Sequence, residues 1–176
     1  MRVDVVESLP ALDEAGSPAV EDAGAERALR SFFAAIESDD SLFTCESPRT
    51  RLAEGASGAT LGRTPGAALC SGDFVLRFRG TSLGGNRRLH FSLVEKLVEL
   101  LKVAGSAEWL TARISLTPDS GGEANPTGLA LRLRLEAQGS SAEQAGLRWG
   151  LGVAHVQQAL LFTSRYLRQQ IGQSAD

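Results

Sequence analysis

Gly80, Thr81, Ser82, Leu83 and Gly84 spell G-x-S-x-G, the turn on which many hydrolases raise a serine nucleophile between a strand and a helix. Asp119 and His155 follow Ser82 in the chain order such a triad uses. Three features oppose a serine hydrolase using Ser82. Gly85, Asn86, Arg87 and Arg88 read as turn and not as the start of a helix, the strand pattern is that of an antiparallel sheet, and His155 falls in a helical run instead of a loop. A phosphate cradle is no better supported. Ser57–Thr64 (SGATLGRT) resembles a P-loop, but serine replaces the first glycine, arginine replaces the lysine, and no apolar strand leads into it. The metal-ligand types are Cys45, Cys70, His90 and His155; the cysteines have no metal spacing around them and neither histidine has a carboxylate or thiol at i+3 or i+4, so they read as two reduced thiols and two unrelated histidines. Neither a metal nor a cofactor is expected. Five arginines are more suggestive: Arg77 and Arg79, Arg113, and Arg132 and Arg134 stand at alternate positions of three apparent strands. On one sheet face their planar guanidiniums would suit carboxylate or phosphate recognition and form a partner-binding surface.

Those arginines need strands to carry them, and the spacing of apolar residues supplies three. Phe74, Leu76 and Phe78 alternate with Val75, Arg77 and Arg79 over 73–79; Leu110, Ala112, Ile114 and Leu116 alternate with Trp109, Thr111, Arg113 and Ser115; and Leu129, Leu131, Leu133 and Leu135 alternate with Arg132, Arg134 and Glu136. Side chains of a strand alternate between its faces, so each segment has one buried and one wet side. The last two form a hairpin across the turn-rich 118–127. Residues 25–38 place Leu29, Phe32, Phe33 and Ile36 on one helical stripe. Ser92 with Glu95 is a capping-box signature opening a helix to Ala104, its stripe being Leu93, Leu97, Leu100 and Leu101. Overlapping boxes, Ser140 with Glu143 and Ser141 with Gln144, start a last helix of some thirty residues. In that helix Gly146, Gly150 and Ala154 recur every four residues, a small-residue stripe that marks a helix-packing surface or a dimer interface. Residues 42–70 are rich in Gly, Ser, Thr and Pro, with short strands expected near 42–45 and 67–70. The fold class is α+β: an antiparallel sheet with an N-terminal helix, a middle helix and a long C-terminal helix packed on one face.

The chain has 176 residues, 43% hydrophobic and 22% charged, enough for one domain with a real core. Residues 1–26 carry seven acids against Arg2 alone, a net of −6, which leaves +3 for the other 150 residues of a chain whose total is −3. Residues 1–24 therefore read as a disordered acidic tail and 25–176 as the domain. The abundance of arginine, alanine and glycine suggests a GC-rich bacterial genome. No basic and apolar leader and no apolar run of about 20 residues is present, so a cytoplasmic protein without a membrane span is expected. With Phe74 and Phe78 inward and only Trp109 outward, the arginine face lacks a base-stacking set, which argues against nucleic acid.

The order helix, two or three strands, helix (LVEKLVELL), strand (WLTARISLT), strand (LALRLRLEA), closing helix resembles that of type III secretion chaperones and YbjN-like bacterial regulator domains over residues 25–172. The resemblance implies a non-enzymatic protein-binding module, a homodimer that holds a partner polypeptide segment. Its alternatives are a helix-grip protein that binds a small ligand or lipid beneath its last helix, and the hydrolase using Ser82.

Overall fold

A computed structural model of the chain describes residues 2–5, 23–53, 67–104, 109–119 and 128–173. The strands β1 (Arg2–Val5), β2 (Phe43–Ala53), β3 (Ala68–Phe78), β4 (Leu110–Pro118) and β5 (Leu129–Gly139) make one sheet in the order β1-β4-β5-β3-β2. β2, β3, β5 and β4 pair antiparallel, and β1 adds parallel to β4. The helices are α1 (Ala23–Glu37), the single turn α2 (Thr81–Gly84), α3 (Arg87–Ala104) and α4 (Ala142–Gln173). The fold is the α+β arrangement expected, with N-terminal, middle and long C-terminal helices on one face. Alternation does what the spacing predicts: Phe74, Leu76 and Phe78 of β3, Leu110, Ala112 and Ile114 of β4, and Leu131, Leu133 and Leu135 of β5 are buried beneath the helices.

What seats α4 on the sheet is Trp149. Its side chain is fully buried, stacks on Phe74 at 6.0 Å between ring centroids, and donates its indole N–H to the Leu135 carbonyl at 3.1 Å. The ring occupies the space above Gly72 of β3, where a Cβ would stand 2.4 Å from Trp149 Cζ2. One turn on, a Cβ at Gly152 would come within 2.8 Å of the Leu110 side chain, so the helix lies close to the sheet at two successive turns. Burying a tryptophan contributes about 4 to 6 kcal/mol by area, more than a strand glycine costs, which is why β3 carries Gly72 where β-propensity alone would reject it.

The sequence reading split β3 at Ser71 and Gly72; the strand is continuous because Trp149 fills the gap. The short strand expected near 42–45 likewise extends through β2, whose pairing with β3 shifts register between Glu46 and Arg49. Pro48 lies within that shift and has no N–H to give the ladder, and β2 is an edge strand, where a bulge is tolerated. α3 begins at Arg87 and not at Ser92. Asn86 Oδ1 accepts the Leu89 N–H at 3.1 Å and so caps the helix six residues before the Ser92 signature. α4 begins where expected: Ser141 Oγ accepts the Gln144 N–H at 3.2 Å, and Gln144 reaches back to the Ser140 N–H at 2.7 Å. It runs unbroken through Gly150 and Gly152. Four residues read as acidic tail, Arg2–Val5, form β1, where β-branched Val3 and Val5 favour a strand. Residues 6–22 lie outside the described residues, as do the side chains of Leu100 and Leu101.

Gly72→Ala should push α4 away from β3 and lower stability by about 1 to 3 kcal/mol, the usual range for overpacking. Urea melts followed by near-ultraviolet circular dichroism of the Trp149 environment check this; an unchanged midpoint would separate Trp149 from the seating of α4.

Candidate functional site

The face of the sheet opposite the helices carries a charged lattice. Arg77 donates from Nε to Asp119 at 2.9 Å and from a terminal nitrogen to Glu46 at 2.6 Å. Partial burial disfavours its charge, but the hydrogen bonds to Asp119 and Glu46 outweigh that and hold the guanidinium above its ordinary value. Arg134 bonds Glu136 at 2.9 Å along β5 and approaches Asp73 across the β3 pairing at 3.9 Å. Pairs this exposed contribute up to about 1 kcal/mol each, so they order the face more than they stabilise the fold. Arg113 stands directly opposite Arg134 in the β4–β5 register. Arg132 is exposed and makes no ion pair with another described residue. Opposite it lies Ser115, 2% exposed, whose Oγ is buried without a hydrogen-bond partner.

Four of the five predicted arginines thus share a face, and Arg79 does not. Its guanidinium turns to the helix layer, donating to the Ile36 carbonyl at 2.8 Å and the Phe43 carbonyl at 3.0 Å. It satisfies the C-terminal end of α1, whose last carbonyls lack intrahelical donors, and its position just past the end of β3 frees it from the alternation. Trp109 also departs from expectation. It precedes β4, packs against the core and lies under Arg148 of α4, the guanidinium 5.4 Å from the ring centroid. Of the small-residue stripe, Gly146 and Gly150 are buried and Ala154 is exposed. Gly150 meets α1, its would-be Cβ 3.3 Å from the Gly24 carbonyl oxygen and 3.4 Å from Ala28 Cβ.

The catalytic candidates are not assembled. Gly80 has φ +87°, but Ser82 lies in the helical turn α2, and no described residue other than glycine has positive φ, so the strained backbone of a nucleophile elbow is missing among the described residues. Asp119 accepts from Arg77 on the open face, while His155 belongs to α4 on the other side of the sheet. Gly80 and Gly84 instead line a shallow pocket of about 190 Å³ with Arg77 and Asp119, below the few hundred Å³ of most small-molecule sites. Ser57–Thr64 lies outside the described residues.

His90 is buried, with Nδ1 2.8 Å from the Asn86 carbonyl and Nε2 3.0 Å from the Leu129 carbonyl. Both ring nitrogens face backbone oxygens, so His90 ties α3 to β5 and has no nitrogen left for a metal. Both cysteines are free thiols, and no group of three or more metal-ligand residues occurs among the described residues. Burial pushes the Cys45 thiol up to about 12 from its ordinary 9.0.

A site that sequence reasoning missed is the outer face of α4. Leu147, Leu151, Phe162 and Tyr166 are 52%, 57%, 51% and 43% exposed. With Ala154 and Gln158 they follow one another at three- or four-residue spacing on one side of the helix. The signal was present, but the same helix carries a second, buried apolar stripe that masks it. Between α4 and the sheet, the space a helix-grip ligand would use is filled by Trp149. Comparison with protein families, with curated proteins and with solved structures finds no match.

Because the fold keeps the Cys45 proton to higher pH than the unfolded chain does, Cys45 contributes stability that is whole below about pH 9 and is lost as pH rises toward about 12. Urea midpoints of the parent should therefore fall more steeply between pH 9 and pH 11 than those of Cys45→Ala. Parallel profiles would contradict the shift.

Proposed function

We propose that the chain is a non-enzymatic protein-binding module that forms a homodimer and holds a partner polypeptide, as its likeness in element order to type III secretion chaperones and YbjN-like domains implies. The observation that carries this reading is the exposed apolar stripe of α4. Four large apolar side chains in one line on a helix mark a surface that another protein covers. The stripe is self-complementary when two copies cross antiparallel near Ala154 and His155. In that arrangement Leu147 of one copy meets Phe162 of the other, and Glu143 comes beside Arg165 and Tyr166. Ala154 at the crossing lets the backbones approach. A twofold contact of this kind is isologous, each half supplying the same residues.

The Ser82, Asp119 and His155 candidates give no support to a hydrolase, since Asp119 and His155 lie on opposite sides of the sheet. Ser82→Ala should leave labelling by a fluorophosphonate probe unchanged from the parent; labelling of the parent that this variant abolishes would make the protein a hydrolase.

In sedimentation velocity at tens of micromolar the parent should run as a dimer, and Leu151→Glu with Phe162→Glu as a monomer with unaltered far-ultraviolet circular dichroism. Both positions are on the solvent side, so the monomer should keep its fold. A parent that runs as a monomer throughout would remove the dimer from the reading.

A further inference from the structure

We propose that Arg132 and Ser115 form a receptor for a carboxylate, supplied by an acidic segment of the partner polypeptide, on the face of the sheet opposite the helices. The inference rests on the reading that the protein binds a polypeptide, and it names the residues and the chemistry of one contact.

The arginines of that face are not equivalent. Arg77 holds Asp119 and Glu46, while Arg134 holds Glu136 and approaches Asp73. Two guanidiniums thus engage Glu46, Asp73, Asp119 and Glu136. Arg132 is exposed and makes no ion pair with another described residue. The register explains why it is left over. It stands between Ser115 of β4 and Val75 of β3, so neither cross-strand neighbour carries a charge. Along β5 its neighbours on the same face are Ala130 and Arg134, one apolar and one of like charge. Arg113 stands opposite Arg134, so three guanidiniums occupy two successive cross-strand pairs of this face. Like charges opposed in this way favour an added anion.

Ser115 points to the same place. It is 2% exposed, and its Oγ is the one buried side-chain oxygen or nitrogen among the described residues without a hydrogen-bond partner. A buried hydroxyl that bonds nothing costs stability, and a fold that keeps one calls for an explanation. A ligand oxygen supplies it. Directly opposed residues of an antiparallel pair have Cβ atoms about 4.5 to 5.5 Å apart, so a single carboxylate can accept from the Ser115 hydroxyl and from the planar fork of Arg132 together. Because the Arg132 side chain is tied to no carboxylate, it can move to admit the anion without breaking an ion pair. The outward residues of β3, β4 and β5 include no aromatic side chain, so a nucleic acid would find phosphate donors here but nothing on which to stack a base. An acidic peptide needs no such platform.

The test uses the full chain at low salt and a peptide of alternating glutamate and threonine carrying an uncharged dye, read by anisotropy, with the glutamine counterpart as reference. The parent should prefer the glutamate peptide. Arg132→Gln should weaken that binding about fivefold to tenfold, and Arg132→Lys should restore only part of it, because the charge returns without the fork. Ser115→Ala should weaken binding about twofold to fivefold and leave the melting temperature unchanged or higher, since an unsatisfied buried group is removed. Arg88→Gln, an exposed position of α3 on the helix side, makes the same change in net charge and should bind as the parent does. Parental affinity in Arg132→Gln or in Ser115→Ala would overturn the proposal, as would an equal loss in Arg88→Gln. So would tighter binding of single-stranded RNA than of the glutamate peptide. Sedimentation of the same samples separates this site from the dimer: a dimer that binds no glutamate peptide refutes only the site, and a monomeric parent that binds it through Arg132 and Ser115 refutes only the dimer.

Discussion

The contact between Trp149 and Gly72 is the constraint from which the rest of the architecture follows. A tryptophan laid on the backbone of a central strand sets the height of α4 above the sheet, and Gly152 against Leu110 and Leu135 holds that height one turn later. With α4 so low, its flanks become the walls for the other helices. α1 can approach until Gly24 touches Gly150, bringing Phe32 to within 5.1 Å of Phe74. On the other side α3 is fixed by His90, whose ring lies edge-on to Phe78 at 4.9 Å and reaches the Leu129 carbonyl. The end of α4 closes the far side, where Ser164 receives the Leu42 N–H at 3.2 Å and Arg168 donates to the Asp39 carbonyl. Close packing of this kind fills the space between α4 and the sheet around Trp149 and Gly152, which is why the proposed function looks to the outer surfaces.

Those surfaces differ in kind. The open face of the sheet places Arg77 and Arg134 among Glu46, Asp73, Asp119 and Glu136, so much of its charge is internally balanced. Such a face discriminates by pattern more than by net attraction, because a ligand must replace pairs already made. The outer face of α4 is apolar and has no such pairs to break. In the proposed dimer, affinity there would come from area removed from water, and specificity from the register of two helices.

The strands β4 and β5 were legible in the sequence because each has one apolar and one polar side, and the period of two survives over Leu110–Ile114 and Leu131–Gly139, with Ser115 and Ala130 the buried exceptions on the open face. The cap of α4 was legible because Ser141 and Gln144 are local to it. Elsewhere the deciding interaction is distant in sequence. Nothing near Gly72 announces that Trp149, seventy-seven positions later, will fill its missing side chain. Asn86 and Ser92 are both good caps, and packing of His90 against Phe78 and β5 selects the earlier one. Arg79 reads as one more outward arginine until α1 brings its last carbonyls within reach. β1 is only four residues long within a strongly acidic stretch, so composition outweighed its two valines. The triad order that the sequence analysis argued against shows the same limit in reverse: motif order is a property of sequence, and the sheet stands between Asp119 and His155.

β5 is the last strand in the chain, yet it lies between β3 and β4 in the sheet. During synthesis β2 and β3 can form a hairpin early, while β4 emerges with no antiparallel neighbour and waits for residues 129–139. Until then the two parts of the sheet share no ladder, and Gly72 has no Trp149 above it. Assembly is therefore a late insertion that couples everything made before it, with long-range pairings closing in one step. A chain interrupted before Leu129 holds a hairpin and a strand with only β1 beside it, and the ribosome must deliver most of the polypeptide before any of it becomes a sheet of more than two antiparallel strands.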